Sequence, residues 1–258
     1  MPGCGGMVRG RSRRLVAYSS VFAEEWFTEF VPVIGMDKIM AALRAKAATN
    51  DHFQAQVIVQ FAAVRTDSPD SPATLGSVQT ASSGSIEYPT GAIDISASAA
   101  TKFYVRFGVA YRYNPTGGSQ SSADVSLDIN YEQCGEIAGG LNAQLFTSTS
   151  DMQVVALTGL LSPLMVEKIK AALMVTSKTG NFQWKLTYRT FSTNREVPGA
   201  WSDSFEQSYR TATGDVNTGE LTVSGLGSAM WIQIGLAYTS SSGNGQASVS
   251  LALGTRRS

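Results

Sequence analysis

The 258-residue sequence predicts an all-β protein built as two tandem, internally duplicated antiparallel β-sandwich domains. Three observations predict it. Short segments recur in the same order in both halves of the chain. Within those segments apolar and polar residues alternate with period two. Clusters of Gly, Pro, Ser, Asn and Asp separate them at intervals of roughly ten residues.

The repeat is read from six anchors. Lys38-Ile39-Met40-Ala41-Ala42-Leu43 returns as Lys168-Ile169-Lys170-Ala171-Ala172-Leu173, at an offset of 130. Phe53-Gln54 returns as Phe182-Gln183, and Pro69 as Pro198, at 129. Thr90-Gly91 matches Thr218-Gly219 at 128. Gly108-Val109-Ala110-Tyr111 matches Gly235-Leu236-Ala237-Tyr238 at 127. Ala123-Asp124-Val125-Ser126-Leu127 matches Ala247-Ser248-Val249-Ser250-Leu251 at 124. The offset only falls, as expected when the second copy has lost residues from loops between strands.

The segments themselves read as strands. Phe53, Val57, Val59 and Phe61 share one face, as do Phe182, Trp184, Leu186 and Tyr188. The stretches Phe103–Val109 and Trp231–Leu236 are the most apolar and are expected to be central. Ala123–Ile129 and Ala247–Leu253 alternate cleanly and close each copy. The Lys-Ile-x-Ala-Ala-Leu segment is open to a helical reading, because Ala and Leu favour helices. Its alternation (Ile39, Ala41, Leu43, Ala45) favours a strand, joined to the Phe-Gln strand by a short polar turn in a hairpin layout. At least six strands per copy fit a two-layer sandwich, with jelly-roll winding as one form it can take. The expected layout is a basic flexible arm over residues 1–14, a first sandwich over 15–134 and a second over 141–258. Cys134 to Gly140 forms the joint, and the stretch before Phe30 is additional to the repeat.

Composition narrows the function classes. Apolar residues make up 43% of the chain, enough for two cores, while charged residues reach only 16%, below the quarter usual in soluble domains. Low surface charge suits packing against other subunits. Twenty basic and twenty acidic residues cancel, which argues against a dedicated nucleic-acid binder. No apolar run approaches the length of a membrane helix, and no signal-peptide core follows the N-terminal arginines. Cys4 and Cys134 have no disulfide-framework or metal-ligand spacing and read as free thiols in a reducing compartment. Arg9, Arg11, Arg13 and Arg14 mark the start of the chain. They read either as a solvated tail or as an arm lying on a neighbouring subunit or touching phosphate.

No catalytic constellation emerges, and no catalytic, cofactor or metal residue is expected. His52 is the only histidine, and the second copy has Asn181 in its place, so the shared design does not need it. Asp67, Asp70 and Asp51 fit no calcium-loop spacing and read as turn residues. Glu24 and Glu25 point to opposite faces of a strand. Glu132 and Glu136 flank the joint as surface charges. Tyr111, Tyr113, Tyr209, Trp231 and Tyr238 either fill cores or form a sugar-stacking platform, and the equivalence of Tyr111 and Tyr238 favours cores. Trp201 is the aromatic expected to be exposed.

Low charge, Ser/Thr/Gly-rich loops, strands such as Phe103–Tyr113 and a basic N-terminal arm together resemble the accessory proteins of bacteriophage particles: head decoration, cement, collar or tail components. That resemblance implies a non-enzymatic assembly protein located in the virion and assembled in the host cytoplasm. Its partners would be copies of itself and other particle proteins, with no membrane and no specific nucleic acid. Two similar domains per chain, arranged as a trimer, place six similar units around one axis, which can match a six-fold lattice. A carbohydrate- or receptor-binding adhesion protein, with a glycan as ligand, is the second reading. An enzyme with an unfamiliar acidic site is the third.

Overall fold

A computed structural model describes residues 6–81, 84–114, 116, 120–133, 135–191, 199–201, 203–206, 208–211, 214–223, 226 and 229–256. Cys4, Cys134 and Pro198 lie outside the described residues. The chain divides into two compact units, Met1–Gln133 and Cys134–Ser258.

The first unit contains β1 (Gly6–Arg9), β2 (Arg13–Ala17), β3 (Ala23–Trp26), β4 (Val31–Pro32), β5 (Met36–Lys46), β6 (Phe53–Ala62), β7 (Ala73–Thr80), β8 (Ile86–Asp94), the short helix α1 (Ser96–Thr101), β9 (Tyr104–Tyr113) and β10 (Ser121–Gln133). All pairings are antiparallel. One sheet runs β1/β2–β10–β5–β8 and the other β3/β4–β9–β6–β7. With β1/β2 and β3/β4 each counted as one interrupted strand, the orders are 1-8-3-6 and 2-7-4-5. That winding is the eight-stranded jelly roll.

The second unit repeats the winding with fewer breaks. It contains β11 (Gly135–Thr147), β12 (Gln153–Ala156), β13 (Lys168–Phe191), β14 (Asp203–Ser204), β15 (Val216–Asn217), β16 (Leu221–Thr222) and β17 (Trp231–Arg256). The 24-residue β13 does the work of both β5 and β6, and the 26-residue β17 that of β9 and β10. They pair from Lys168↔Arg256 to Phe191↔Trp231, with register shifts at Val175/Ser177 and Gly180/Phe182. Those bulges turn the corner from one layer to the other without ending the ladder. The polar runs 178–181 and 241–245 are therefore strand.

Equivalent residues meet equivalent partners. Leu43 pairs with Leu127, and Leu173 with Leu251; Val57 pairs with Val109, and Leu186 with Leu236. Each set faces its own core: Leu43, Val57, Val109 and Leu127 are buried in the first, and Leu173, Leu186, Leu236 and Leu251 in the second. Phe53 stacks on Tyr111 with ring centroids 6.1 Å apart, and Phe182 stacks on Tyr238 at 5.7 Å. The Thr-Gly anchor also has one job in both copies. The Ala41 N–H donates to Thr90 Oγ1 at 3.0 Å and the Ala171 N–H to Thr218 Oγ1 at 2.9 Å. Gly91 and Gly219 follow with φ of 73° and 69°, a conformation that glycine adopts without steric cost.

Four sequence-based expectations change. The repeat extends upstream of Phe30: Ala23–Trp26 pairs with β9 from Tyr111 to Gly108, as Gln153–Ala156 pairs with β17 from Tyr238 to Gly235. Next, the described part of the supposed arm is strand. Val8 and Leu15 pack into the first core, and the backbone of β1 and β2 pairs with β10. Residues 1–5 lie outside the described residues. The joint also shortens, because β11 begins at Gly135 and pairs with β17 along its length. Finally, β5 and β6 do not form a hairpin. They belong to different sheets, since a jelly roll passes from one layer to the other at this corner. The central placement expected for β9 and the equivalent part of β17 agrees with the sheet order.

Candidate functional site

The outward faces of the two units differ much more than their cores. On the first unit, the face formed by β2, β10 and β5 carries a row Arg14–Asp124–Lys46. The next row, across β10, β5 and β8, is Ser126–Arg44–Glu87, and across β1, β10 and β5 lies Arg9–Asp128–Ala42. The matching rows of the second unit are Gln144–Ser248–Ser177, Ser250–Met174 with Asp215 in the place of Glu87, and Gly140–Ala252–Ala172. Apart from Glu87, whose counterpart is Asp215, the charges in these rows of the first unit are replaced by neutral residues in the duplicate.

The four N-terminal arginines are not alike. Arg13 forms an ion pair with Glu25, donates to the Trp26 carbonyl at 3.0 Å and lies over the Phe27 ring. It ties the edge of one sheet to the edge of the other. Arg14 donates to the Ala47 carbonyl at 3.0 Å and to Ser122 Oγ at 2.8 Å, and pairs with Asp124 at 3.3 Å. Arg9 and Arg11 are exposed, and neither has an ion-pair partner among the described residues. The sequence placed all four in one class because their partners lie between about a dozen and more than a hundred positions away.

Arg44 pairs with Asp128 at 3.2 Å. Beside it, Ser12, Arg44, Lys46, Asp124 and Ser126 line an open depression of about 380 Å³. Lys46 is exposed.

On the other layer, cations lie under aromatic rings. Arg106 sits 4.1 Å from the Trp26 ring centroid and 4.7 Å from that of Phe30, and its Nε donates to Gln60 Oε1 at 2.7 Å. In the second unit Arg189 sits 4.5 Å from the Trp201 ring and donates to Gln233 Oε1 at 2.9 Å. Trp201 was expected to be exposed; it is half-buried, with Arg189 over its ring and its six-membered ring packed on Gly235. A ring held this way is committed to the fold, and the sugar-stacking role loses its best candidate. Tyr111 and Tyr238 pack against the cores. Burial pushes the Tyr111 phenol above its ordinary range, with the Glu25 charge adding to it.

Asp70 pairs with Lys102 at 2.7 Å, and its carbonyl accepts from Gln60 Nε2 at 2.6 Å. Glu24 and Glu25 face Ala110 and Val109 in the β3–β9 register, hence opposite faces. His52 Nε2 lies 3.3 Å from Asp51 Oδ1 in the turn before β6. Among the described residues no group of three metal-ligating side chains comes together.

Two charged groups escaped the sequence reading. Lys170 has no exposed surface. Burial lowers its pKa to about 8, against the attraction of Glu220. Glu220 is held from outside by Lys168 at 3.1 Å and Arg256 at 3.7 Å. The one available signal was the mismatch within the strongest repeat, where the first copy has Met40. Glu206 is also buried. It accepts the Leu186 N–H at 2.9 Å and pairs with Arg210. Its carboxylate thus takes a strand N–H where the second unit's fifth strand is reduced to Asp203–Ser204 and an isolated bridge at Arg210.

No protein-family model matches this chain, and no curated protein does. Its neighbours among solved structures include capsid proteins. It is similar to VP2 of the infectious bursal disease virus subviral particle at 8% identity and a TM-score of 0.39, covering 98% of this chain and 41% of that one. It is similar to the PBSX exported protein XepA at 7% identity and 0.31, covering 97% and 86%. It is also similar to PNGase F, a glycosylasparaginase from Flavobacterium meningosepticum, at 12% identity and 0.31, covering 98% and 96%. The chain therefore spans about two fifths of the length of the bursal disease virus protein.

Proposed function

We propose that this chain is a non-enzymatic structural component of a virus particle, a head-decoration, cement, collar or tail protein acting through contacts with copies of itself and with other particle proteins. The observation that carries the reading is the duplication of a complete jelly roll, including its edge strands and the Thr-Gly anchor, with the charge of the outer faces changed between the copies. Jelly rolls serve capsids, lectins and cupins alike, so winding alone does not decide among them. What favours assembly is the division of labour. Both copies keep apolar residues at the core positions and the same ladders, while the outward faces change in charge. In a homotrimer the chain would offer six similar sandwiches around one axis, able to meet a six-fold environment with closed symmetry.

Light scattering on the purified chain across a concentration series, followed by electron microscopy of any assembled species, tests this. Closed oligomers displaying six similar lobes are expected. A protein that stays monomeric at the highest concentration and does not bind assembled particles would remove the reading.

A further inference from the structure

We propose that the charged outer face of the first unit is a contact site for the phosphate groups of a nucleic-acid strand. Arg44 and Lys46 stand two residues apart on the same face of β5, on the order of 7 Å along the strand. Both line the open depression, with the hydroxyls of Ser12 and Ser126 beside them. Arg9 and Arg11 extend the exposed positive charge along the sheet edge. Three carboxylates share the face: Asp124 is paired with Arg14, Asp128 is paired with Arg44, and Glu87 stands opposite Arg44 on β8. Arg9, Arg11 and Lys46 are exposed and form no ion pair among the described residues, with Asp128 opposite Arg9 and Asp124 opposite Lys46 in the register.

The duplication supplies the control. The places of Arg9, Arg44 and Lys46 are taken in the second unit by Gly140, Met174 and Ser177, so the shared fold does not need these three cations. Guanidinium forks and an ammonium with adjacent hydroxyls match the non-bridging oxygens of phosphodiesters. The interleaved Asp124 and Asp128 weaken each contact, which suits a polymer that repeats its charge and is held without sequence preference. The phosphate site stands on this surface chemistry; its placement against packaged nucleic acid rests on the virion reading.

Fluorescence anisotropy with short labelled single-stranded DNA tests it on the full chain, independently of assembly. Binding is expected at about 50 mM salt and should fall steeply by about 200 mM. The variant Arg9→Ala/Arg11→Ala/Lys46→Ala should bind at least ~10-fold more weakly, and its slope of log affinity against log salt should be shallower by about 2, because each single-strand phosphate contact contributes about 0.7. None of the three side chains is buried, and circular dichroism checks that the variant folds. Lys178→Ala, on the second unit, should bind as the parent does. The proposal is overturned if the parent does not bind at low salt, if the triple variant binds equally, or if a sulfated polysaccharide binds more tightly than DNA through the same three residues.

Discussion

Gln60 and Arg106 face each other across β6 and β9, and at the equivalent place in the second unit Arg189 faces Gln233, with the two residue types exchanged between strands. In both units the guanidinium donates to the amide oxygen and lies under a tryptophan. Trp26 and Trp201 each pack on the equivalent glycine, Gly108 and Gly235. Duplication has kept the arrangement while letting its chemistry swap sides.

This arrangement predicts that the pair matters as a pair. Arg106→Gln should cost about 1 kcal/mol through loss of the charge-assisted hydrogen bond and the cation–π contact. The exchange variant Gln60→Arg/Arg106→Gln should recover most of that loss, because it copies the second unit. A double-mutant cycle by denaturant unfolding measures the coupling.

Glycine at position 108 is required by close approach. A Cβ there would sit 2.6 Å from the Glu25 carbonyl oxygen and 2.7 Å from the Trp26 ring; at Gly235 it would sit 2.7 Å from the Trp201 ring. Gly108→Ala and Gly235→Ala should each destabilise by roughly 1–3 kcal/mol. The shift should appear in the thermal midpoint and in tryptophan fluorescence.

Lys170 predicts an unusual pH dependence. Its folded-state pKa of about 8 lies below its ordinary value of 10.5. Below about pH 8 both states hold the proton and the burial cost is fully expressed. Above that, the folded state has released the proton while the unfolded state keeps it, so stability rises with pH. The rise should be measurable from about pH 8 to 9.5, before tyrosines ionise. Lys170→Met, the residue type of the first copy, should abolish the rise. It should also stabilise the protein at neutral pH by on the order of 1–3 kcal/mol, provided Glu220 keeps Lys168 and Arg256. Denaturant midpoints taken across the series check both points.

Glu206 predicts the opposite. Glu206→Ala leaves the Leu186 N–H without its acceptor and removes the partner of Arg210. The expected loss is roughly 1–3 kcal/mol. Faster hydrogen exchange at Leu186 would show that it arises there.

Much of the fold was legible because alternation survives in strands such as β5 and β6, where the core residues are aliphatic or aromatic and the outward ones polar. The first strands were not. In β1 and β2 the outward positions include Arg9 and Arg14, Gly10 interrupts the run, and the apolar residues packed inward are only Val8, Leu15 and Ala17, so the segment looks like a charged tail. Gly139 and Gly140 hide the start of β11 in the same way. Layer assignment was invisible because β5 and β6 are adjacent in sequence and lie in different sheets. The candidate surface was half legible. The arginine cluster stood out, but its division into structural Arg13 and Arg14 and outward Arg9 and Arg11 depends on Glu25, Trp26, Ser122 and Asp124. Trp201 was misjudged because Arg189 and Gly235 come to it from distant strands.

The central claim, that the duplicated jelly rolls serve closed assembly, is tested most directly by the native mass of the purified chain as its concentration rises. The account predicts a discrete species at three times the 27.4 kDa chain mass, alone or further assembled. A single monomeric mass at every concentration, with no binding to assembled particles, would contradict it.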